Sequence, residues 1–167
     1  GFDRIVIAVP GLADATREYR QLLGMEPAPV EGEPQRAWFV LPNTVIELVQ
    51  APLERAVIEG LVFASADGGA TETPVANARG LHLSLSDGRR TAAIRGRHEE
   101  AGAVGLGVDH LVLRTTDADD CIALFGQQLG IRLALDKTVP EWGGRMLFFR
   151  AGKLTLEVIE SAGEHGN

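Results

Sequence analysis

The chain contains the aliphatic stretch Asp3-Arg4-Ile5-Val6-Ile7-Ala8-Val9, and a closely similar stretch, Asp109-His110-Leu111-Val112-Leu113-Arg114-Thr115, follows later. The same spacing aligns four further positions, which are Asp14 with Asp120, Tyr19 with Phe125, Leu23 with Leu129, and Gly24 with Gly130. Residues 45–49 and 155–159 also match, at a slightly larger spacing. Because self-similarity at a fixed spacing marks repeated structural units, the sequence predicts two copies of one module. The larger spacing indicates a longer loop around 140–144 in the second copy.

Each copy has the pattern of a β-α-β-β-β module. The repeated stretch is typical of a buried strand because it is rich in β-branched and aliphatic residues. Helices are predicted from Leu12 and from about Ala118, and Gly24 and Gly130 stand where a left-handed helix C-cap is favoured. Further strands are expected at 37–41, 44–50, 145–150 and 154–159, with short candidates at 26–30 and 131–135. The predicted buried stripes of the two helices are Ala15, Tyr19, Leu22 and Leu23, and Ile122, Leu124, Phe125 and Leu129.

The segment between the copies has a weaker pattern. It suggests a strand at 61–64, a helix at 70–79 that Thr73-Pro74 opens, a strand at 81–85 around His82, and a linker over 87–107. A partial third module and an insertion lying over the sheet are both compatible with this pattern. The predicted division is a first module at 1–50, a partial module or insertion plus linker at 51–106, a second module at 107–160, and a tail at 161–167.

Composition limits the partners and the compartment. The 167 residues are 45% hydrophobic and 23% charged, which is ordinary globular usage. A formal net charge of −7 and a pI near 5.1 disfavour binding to nucleic acid or to anionic membrane surfaces. The sequence has one cysteine, which suits a reducing compartment. It has no apolar run of about 18 residues and no basic-then-apolar export signal at 1–4. These observations predict a cytoplasmic protein without a membrane partner. The first residue is not Met, so missing flanking sequence is left open.

The two signatures Phe2–Pro10 and Val108–Leu113, together with Leu129-Gly130 and Leu156-Glu157, resemble the vicinal oxygen chelate superfamily. This group includes glyoxalase I, methylmalonyl-CoA epimerase, extradiol dioxygenases and bleomycin-resistance proteins. The resemblance covers residues 1–50 and 107–160. It implies a glyoxalase-like α+β fold, in which paired β-α-β-β-β modules form a curved mixed sheet around a cleft that holds one divalent metal.

The resemblance also implies a metal-ligand set, which this sequence matches only in part. His110 and Glu157 match in the second copy and Glu47 matches in the first, whereas Arg4 stands at the fourth ligand position. A guanidinium stays protonated and has no lone pair for a metal. If the first and last strands of a module lie side by side, Arg4 should pair with Glu47. Zn, Ni, Mn, Fe and Co are the divalent metals that suit His and carboxylate ligands.

Two functions follow from the resemblance. The first is a metal-dependent lyase, isomerase or epimerase that acts on a small carbonyl or hydroxy substrate through an enolate, with Glu47 or Glu157 as the base. The alternative is a non-catalytic protein of the bleomycin-resistance kind that sequesters a small molecule and has a degenerate metal site. Both bind a small molecule, and a homodimer is plausible because module pairing can occur within one chain or across two.

Other residues carry a functional and an ordinary structural interpretation. Trp38, Trp142 and Arg145 are candidate substrate contacts, since aromatic walls and a guanidinium suit a pocket for a small anionic molecule. Core packing and surface solvation are the alternatives. His110 alone would suit a structural Asp-His pair, and Glu157 alone would suit a solvent-facing strand position. His82 and His98 are expected at the surface or in the linker, and Cys121 in the core.

Overall fold

The computed structural model describes residues 2–28, 30, 32–69, 72–79, 81–99, 110–142, 144–152 and 154–160. The chain divides into two compact units, Gly1–Gly107 and Val108–Asn167. The predicted α+β class with mixed sheets is confirmed in both. Among the helices of the described ranges, none is long and apolar enough to cross a membrane.

The first unit is a six-stranded mixed sheet with two helices. Its elements are β1 (Phe2–Val9), α1 (Leu12–Leu23), β2 (Arg36–Val40), β3 (Val45–Gln50), β4 (Val57–Gly69), β5 (Thr73–Pro74), β6 (Leu83–Ser86) and α2 (Arg89–Glu99). The strand order is β2-β3-β1-β4-β6-β5. β1 pairs parallel with β3 and antiparallel with β4. The first and last strands of the first repeat therefore lie side by side, which is the arrangement that the resemblance implies and under which Arg4 is expected to reach Glu47.

The second unit is a four-stranded mixed sheet with one helical segment, and it follows the order of the first repeat with one further strand. It contains β7 (His110–Thr115), α3 (Ala118–Cys121), a π-helical continuation (Ile122–Gln128), β8 (Arg132–Val139), a 3₁₀ turn (Pro140–Trp142), β9 (Gly144–Ala151) and β10 (Leu154–Glu160). The sheet order is β7-β10-β9-β8, with β7 parallel to β10. Gly24 and Gly130 have φ angles of 65° and 67°, which confirms both predicted left-handed positions.

Three sequence expectations are wrong or incomplete. The described part of 70–79 forms the short strand Thr73–Pro74 and turns, not a helix, with positive φ at Asn77 and Arg79. Within 87–107, which the sequence interprets as a linker, α2 forms over Arg89–Glu99, and residues 100–107 lie outside the described ranges. The stretch 26–30 supplies one isolated bridge, Ala28 to Trp38, rather than a strand.

The cores of the units are aliphatic and aromatic. In the first unit, Ile94 of α2 belongs to a buried cluster with Trp38, Val40 and Val45. In the second unit, Phe125 packs on Phe149 with ring centroids 5.5 Å apart. Helix α1 contributes less than predicted, because none of its residues is fully buried and Leu22 is exposed. Leu22 lies at the edge of the apolar face that its neighbours at 12, 15, 16, 19 and 23 define.

Candidate functional site

Arg4 lies at the centre of a buried ion-pair network in the first unit. Its side chain is 4% exposed, and Nη1 donates to Asp3 Oδ2 at 2.8 Å. Nε lies 3.3 Å from Glu47 Oε1, which confirms the predicted pairing of these two residues, and Nη2 pairs with Glu72. The guanidinium has no lone pair for a metal and already contacts these three carboxylates, so it occupies the place that a divalent cation would need.

Glu47 is held on both carboxylate oxygens by other side chains. Trp38 Nε1 donates to Oε1 at 2.6 Å, and Arg36 Nη1 donates to Oε2 at 2.6 Å. The antiparallel register places Trp38 directly opposite Glu47, while Arg36 is two residues away on the same face of β2. Because donors contact both oxygens, the contacts favour the ion-pair interpretation of Glu47 over a role as metal ligand or base.

Trp38 is fully buried between charged groups of the first unit. The guanidinium carbons of Arg4 and Arg90 lie 4.7 and 4.9 Å from the centre of its ring, within the range of cation–π attraction. Its exposed fraction is 0%. A ring without exposed surface does not touch a ligand directly in this conformation. It orients Glu47 and the two guanidiniums instead.

A cavity of about 250 Å³ opens on this face of the first unit's sheet. Arg90 pairs there with Glu33, and the hydrogen bond from Arg90 holds the pKa of Glu33 below its ordinary value, more strongly than desolvation raises it. The cavity combines charged side chains with a small apolar floor. It is lined by Arg4, Val6, Glu33, Arg36, Glu47, Glu59, Gly60, Leu61, Val62, Glu72, His82, Ser84 and Arg90.

The second unit brings two of the predicted metal ligands together. His110 Nε2 lies 3.8 Å from Glu157 Oε2. This proximity follows from the parallel register, because Thr155 pairs with His110 and Glu157 pairs with Val112, so that both side chains leave the same face of the sheet. The side chains are 48% and 18% exposed, which leaves both accessible to a further group.

The geometry of this pair fits a shared divalent ion. Nitrogen and oxygen ligands bind zinc at about 2.0–2.2 Å, so two ligands of one ion lie within about 4 Å of each other. The 3.8 Å separation in the second unit meets this limit. Across the described ranges, no group of three or more His, Cys, Asp or Glu side chains suits a metal ion. A metal on the second unit would therefore need water or a substrate oxygen to complete its coordination.

Arg145 is hydrogen-bonded to two carboxylates within the second unit. Its Nε and Nη2 donate to the two oxygens of Asp136 at 2.8 and 2.7 Å, and its Nη1 donates to Asp119 at 2.7 Å. These hydrogen bonds raise the pKa of Arg145. The clamp joins β8, β9 and α3, and it favours a structural role over anion capture. The side chain of Trp142, the third predicted substrate contact, lies outside the described part of the structure.

The Arg145 clamp predicts an acid-dependent contribution to stability. The hydrogen bond from Arg145 lowers the pKa of Asp136, so the clamp is fully present above the unfolded-state value of about 3.9 and is lost as the pH falls through the folded-state pKa. We expect Asp136→Asn to lower the free energy of unfolding by up to about 1 kcal/mol at neutral pH and by less in acid. Urea unfolding across a pH series measures the difference. An equal loss at every pH would contradict the linkage.

Sequence reasoning missed several charged side chains of the first unit. Arg36 lies two residues from Trp38 in one strand, so the alternation of β2 already indicated that both share a face. Arg90 was missed because α2 has the composition of a linker. His82, expected at the surface, is exposed and lines the cavity together with Glu59.

Comparison with known proteins shows one curated relative and several similar structures. No family model matches the sequence. The ethylmalonyl-CoA/methylmalonyl-CoA epimerase of Cereibacter sphaeroides is 32% identical over 109 residues, which span 63% of this chain and 73% of the epimerase. A mutant of 4-hydroxymandelate synthase from Streptomyces coelicolor has a TM-score of 0.60 at 15% identity, covering 95% of this chain and 62% of that chain. A glyoxalase I mutant from Zea mays has a TM-score of 0.51 at 15% identity, covering 96% and 68%. These two structural similarities bear on the fold alone.

Proposed function

This chain belongs to the vicinal oxygen chelate superfamily, and on that premise we propose that it is an isomerase, epimerase or lyase. The proposed reaction moves a proton at a carbon next to a carbonyl group of a small molecule. The proposed protein ligands of a divalent ion are His110 and Glu157. The similarity to an epimerase of ethylmalonyl-CoA and methylmalonyl-CoA supports a substrate with an acidic C–H bond beside a carbonyl.

The observation that carries this proposal is the pairing of His110 with Glu157. Their functional atoms lie 3.8 Å apart on one face of the second sheet, and both side chains keep exposed surface. Two strands separated by the length of the unit converge there, because β7 pairs directly with β10. A histidine and a carboxylate with nitrogen and oxygen donors suit Zn, Ni, Mn, Fe or Co.

Glu157 is the better candidate for the proton-transferring group. Its side chain is 18% exposed, whereas the Glu47 carboxylate is 2% exposed and accepts hydrogen bonds from Arg36 and Trp38. A Glu157 oxygen that faces the substrate carbon takes the proton. In an isomerisation Glu157 returns it to the adjacent carbon, whereas an epimerisation requires water to protonate the enolate on its opposite face. His110 orients this carboxylate from the adjacent strand. A divalent ion, when bound, supplies a Lewis acid for the carbonyl oxygen.

Metal binding gives the first test. Glu157→Ala should weaken Mn²⁺ or Zn²⁺ affinity at least about tenfold, because even outer-shell partners of a metal are worth about 10–100-fold. Glu141→Ala is the matched control, since it removes an exposed carboxylate of the same unit that is not part of the pair. Isothermal titration of the full chain with each metal measures the change. Equal affinities for wild type and Glu157→Ala would refute the assigned ligand set.

Proton exchange gives the second test of the same proposal. Wild-type protein in D₂O with metal should introduce deuterium beside the carbonyl of a methylmalonyl thioester. Glu157→Ala should slow this exchange by about 10²–10⁴-fold, the usual contribution of a general base. Mass spectrometry of the thioester measures exchange at early times. If Glu157→Ala exchanges as fast as wild type, this carboxylate is not the base.

A binding protein is the second candidate function, and the Arg4 network favours it. Arg4 stands at a position where the superfamily resemblance implies a metal ligand, and Glu47 is already paired with it. Such a protein would bind its ligand without metal. Thermal stabilisation by a ligand that persists in EDTA supports this function, and stabilisation that EDTA abolishes supports the enzyme.

We also propose a compartment, a class of ligand and an oligomeric state for the protein. We place it in the cytoplasm, which its single, buried cysteine suits. Its proposed partner is a small molecule, and the acidic net charge of −7 disfavours nucleic acid. A homodimer remains a prediction, and light scattering measures it.

A further inference from the structure

We propose that the cavity of the first unit binds the primary ammonium group of a small molecule through Glu59, His82 and Ser84. This site lies within one unit, and it requires neither the His110–Glu157 pair nor a metal. It therefore extends beyond the proposed reaction. The three side chains line the cavity of about 250 Å³.

The charged groups of the cavity divide into those with partners and those without. All three guanidiniums have partners: Arg4 contacts Glu47 and Glu72, and Arg36 and Arg90 both contact Glu33. Arg36 also donates to Glu47. These pairs fix the walls of the cavity before any ligand arrives, which lowers the ordering cost of binding.

Glu59, His82 and Ser84 are polar side chains of the cavity that have no described side-chain partner. Among the described residues, none forms an ion pair or a side-chain hydrogen bond with any of the three. They come from neighbouring strands, since β4 pairs parallel with β6 and Val62 lies opposite Ser84. His82 immediately precedes β6 and Ser84 lies within it, and both side chains line the cavity. The three groups therefore face one cavity from two adjacent strands.

A β-bulge places Glu59 at this cavity. Val6 of β1 pairs with Gly60 and Ile7 pairs with Ile58, so Glu59 is the extra residue without a partner across the strands. Bulges re-aim side chains and occur next to functional sites more often than elsewhere. Gly60 supports the arrangement, because a Cβ atom there would lie 2.7 Å from the carbonyl oxygen of His82. The absence of a side chain lets β6 bring His82 close to the bulge.

The balance of charge selects a cation over an anion. Three guanidiniums line the cavity together with four carboxylates, which are Glu33, Glu47, Glu59 and Glu72. Carboxylates are thus in excess, and Glu59 is the one without a guanidinium partner in the described structure. A bound anion would face this excess, whereas a cation neutralises part of it.

The kinds of donor present narrow the cation to a primary ammonium. An ammonium group has three N–H donors, and a carboxylate oxygen, an imidazole nitrogen and a hydroxyl oxygen are groups that can accept them. A quaternary ammonium has no N–H and prefers an exposed aromatic face, but Trp38 is buried beneath Arg4 and Arg90. In the described part of the chain, no cluster of three metal-ligating side chains suits a divalent ion. The volume lies slightly below the range of about 300–1,000 Å³ for drug-sized ligands, which suits a small amine.

Isothermal titration of the full chain in EDTA tests the site, with n-butylammonium, tetramethylammonium and butanoate as probes. We expect n-butylammonium to bind and each of the other two to bind at least about tenfold more weakly. Glu59→Gln should weaken n-butylammonium about 10–100-fold, because the uncharged amide oxygen cannot form an ion-paired hydrogen bond with the ammonium group. Glu54→Gln, an exposed carboxylate in the preceding loop, is the matched control and should bind as wild type does.

The outcomes separate this inference from the proposed reaction. EDTA removes metal from every titration, so failure of the metal site leaves these measurements unchanged. Equal n-butylammonium affinities for wild type and Glu59→Gln would overturn the assignment, as would tighter binding of butanoate or no measurable binding of n-butylammonium. Because Glu59 is exposed, Glu59→Gln should retain the wild-type thermal unfolding temperature. If that temperature falls, Ser84→Ala gives a second reading of the same site.

Discussion

Replacing Arg4 with leucine should lower the free energy of unfolding by about 3–5 kcal/mol, the usual effect of removing one member of a buried ion pair. Arg4 is 4% exposed and contacts Asp3, Glu47 and Glu72. Without it, Asp3 and Glu47 remain buried, and Asp3 keeps only the hydroxyl of Ser86 as a side-chain donor among the described contacts. Uncompensated charge in a low-dielectric interior is the source of the loss.

Urea denaturation of the full chain measures this effect, with the fluorescence of Trp38 reporting the first unit in a Trp142→Phe background. Arg17→Leu is the matched control, because Arg17 pairs with Asp14 at the surface, where the side chains are 63% and 74% exposed. That pair should contribute less than about 1 kcal/mol. If Arg4→Leu changes stability as little as the control does, the network is not a structural centre of the first unit.

Replacing Trp38 with alanine should lower the free energy of unfolding by about 3–5 kcal/mol, as for other large-to-small changes in a core. The ring is fully buried and packs in the cluster with Val40, Val45 and Ile94. Its removal also leaves the Glu47 carboxylate without the N–H donor at 2.6 Å. The expected effect is therefore of the same size as that of Arg4→Leu.

Trp38→Phe separates packing from hydrogen bonding at this position. Phenylalanine keeps a ring in the core but has no donor, so we expect a loss of about 1.5–3 kcal/mol, the value of a hydrogen bond to a charged group. Circular dichroism during urea unfolding measures both variants without tryptophan fluorescence. A Trp38→Phe variant as stable as wild type would show that the Glu47 contact is energetically neutral.

The fold was predictable where a local pattern and the repeat agreed. The aliphatic stretches from Asp3 and Asp109 and the Gly24 and Gly130 positions gave the order of elements in each module. The middle segment was harder, because β5 and β6 are only two and four residues long and carry few periods of alternation. Pro74 resembles a helix start in sequence, yet the two-residue strand Thr73–Pro74 pairs with β6. Tertiary pairing overrides local propensity in such short segments.

The contacts of the candidate site were predictable only where a residue type excludes a role, as a guanidinium excludes metal binding. The rule that a guanidinium cannot bind a metal led directly to the Arg4–Glu47 pair, and the structure confirms it. The contribution of Arg90 depends on α2 packing near β2, which no spacing in the sequence encodes. Glu59 was also unpredictable, because a bulge reverses the alternation that would otherwise assign its face.

The pairing of each module's first strand with its last has a consequence during synthesis on the ribosome. In the second unit, β8, β9 and β10 form antiparallel neighbours in the order in which they emerge, but β7 pairs with β10. The nascent chain must therefore release residues 110–115 long before their partner at 155–160 leaves the exit tunnel. Contacts between such distant segments slow folding, and an aliphatic strand that waits for its partner is exposed to aggregation. Chaperone dependence of this protein should thus be greatest just before residues 155–160 leave the exit tunnel.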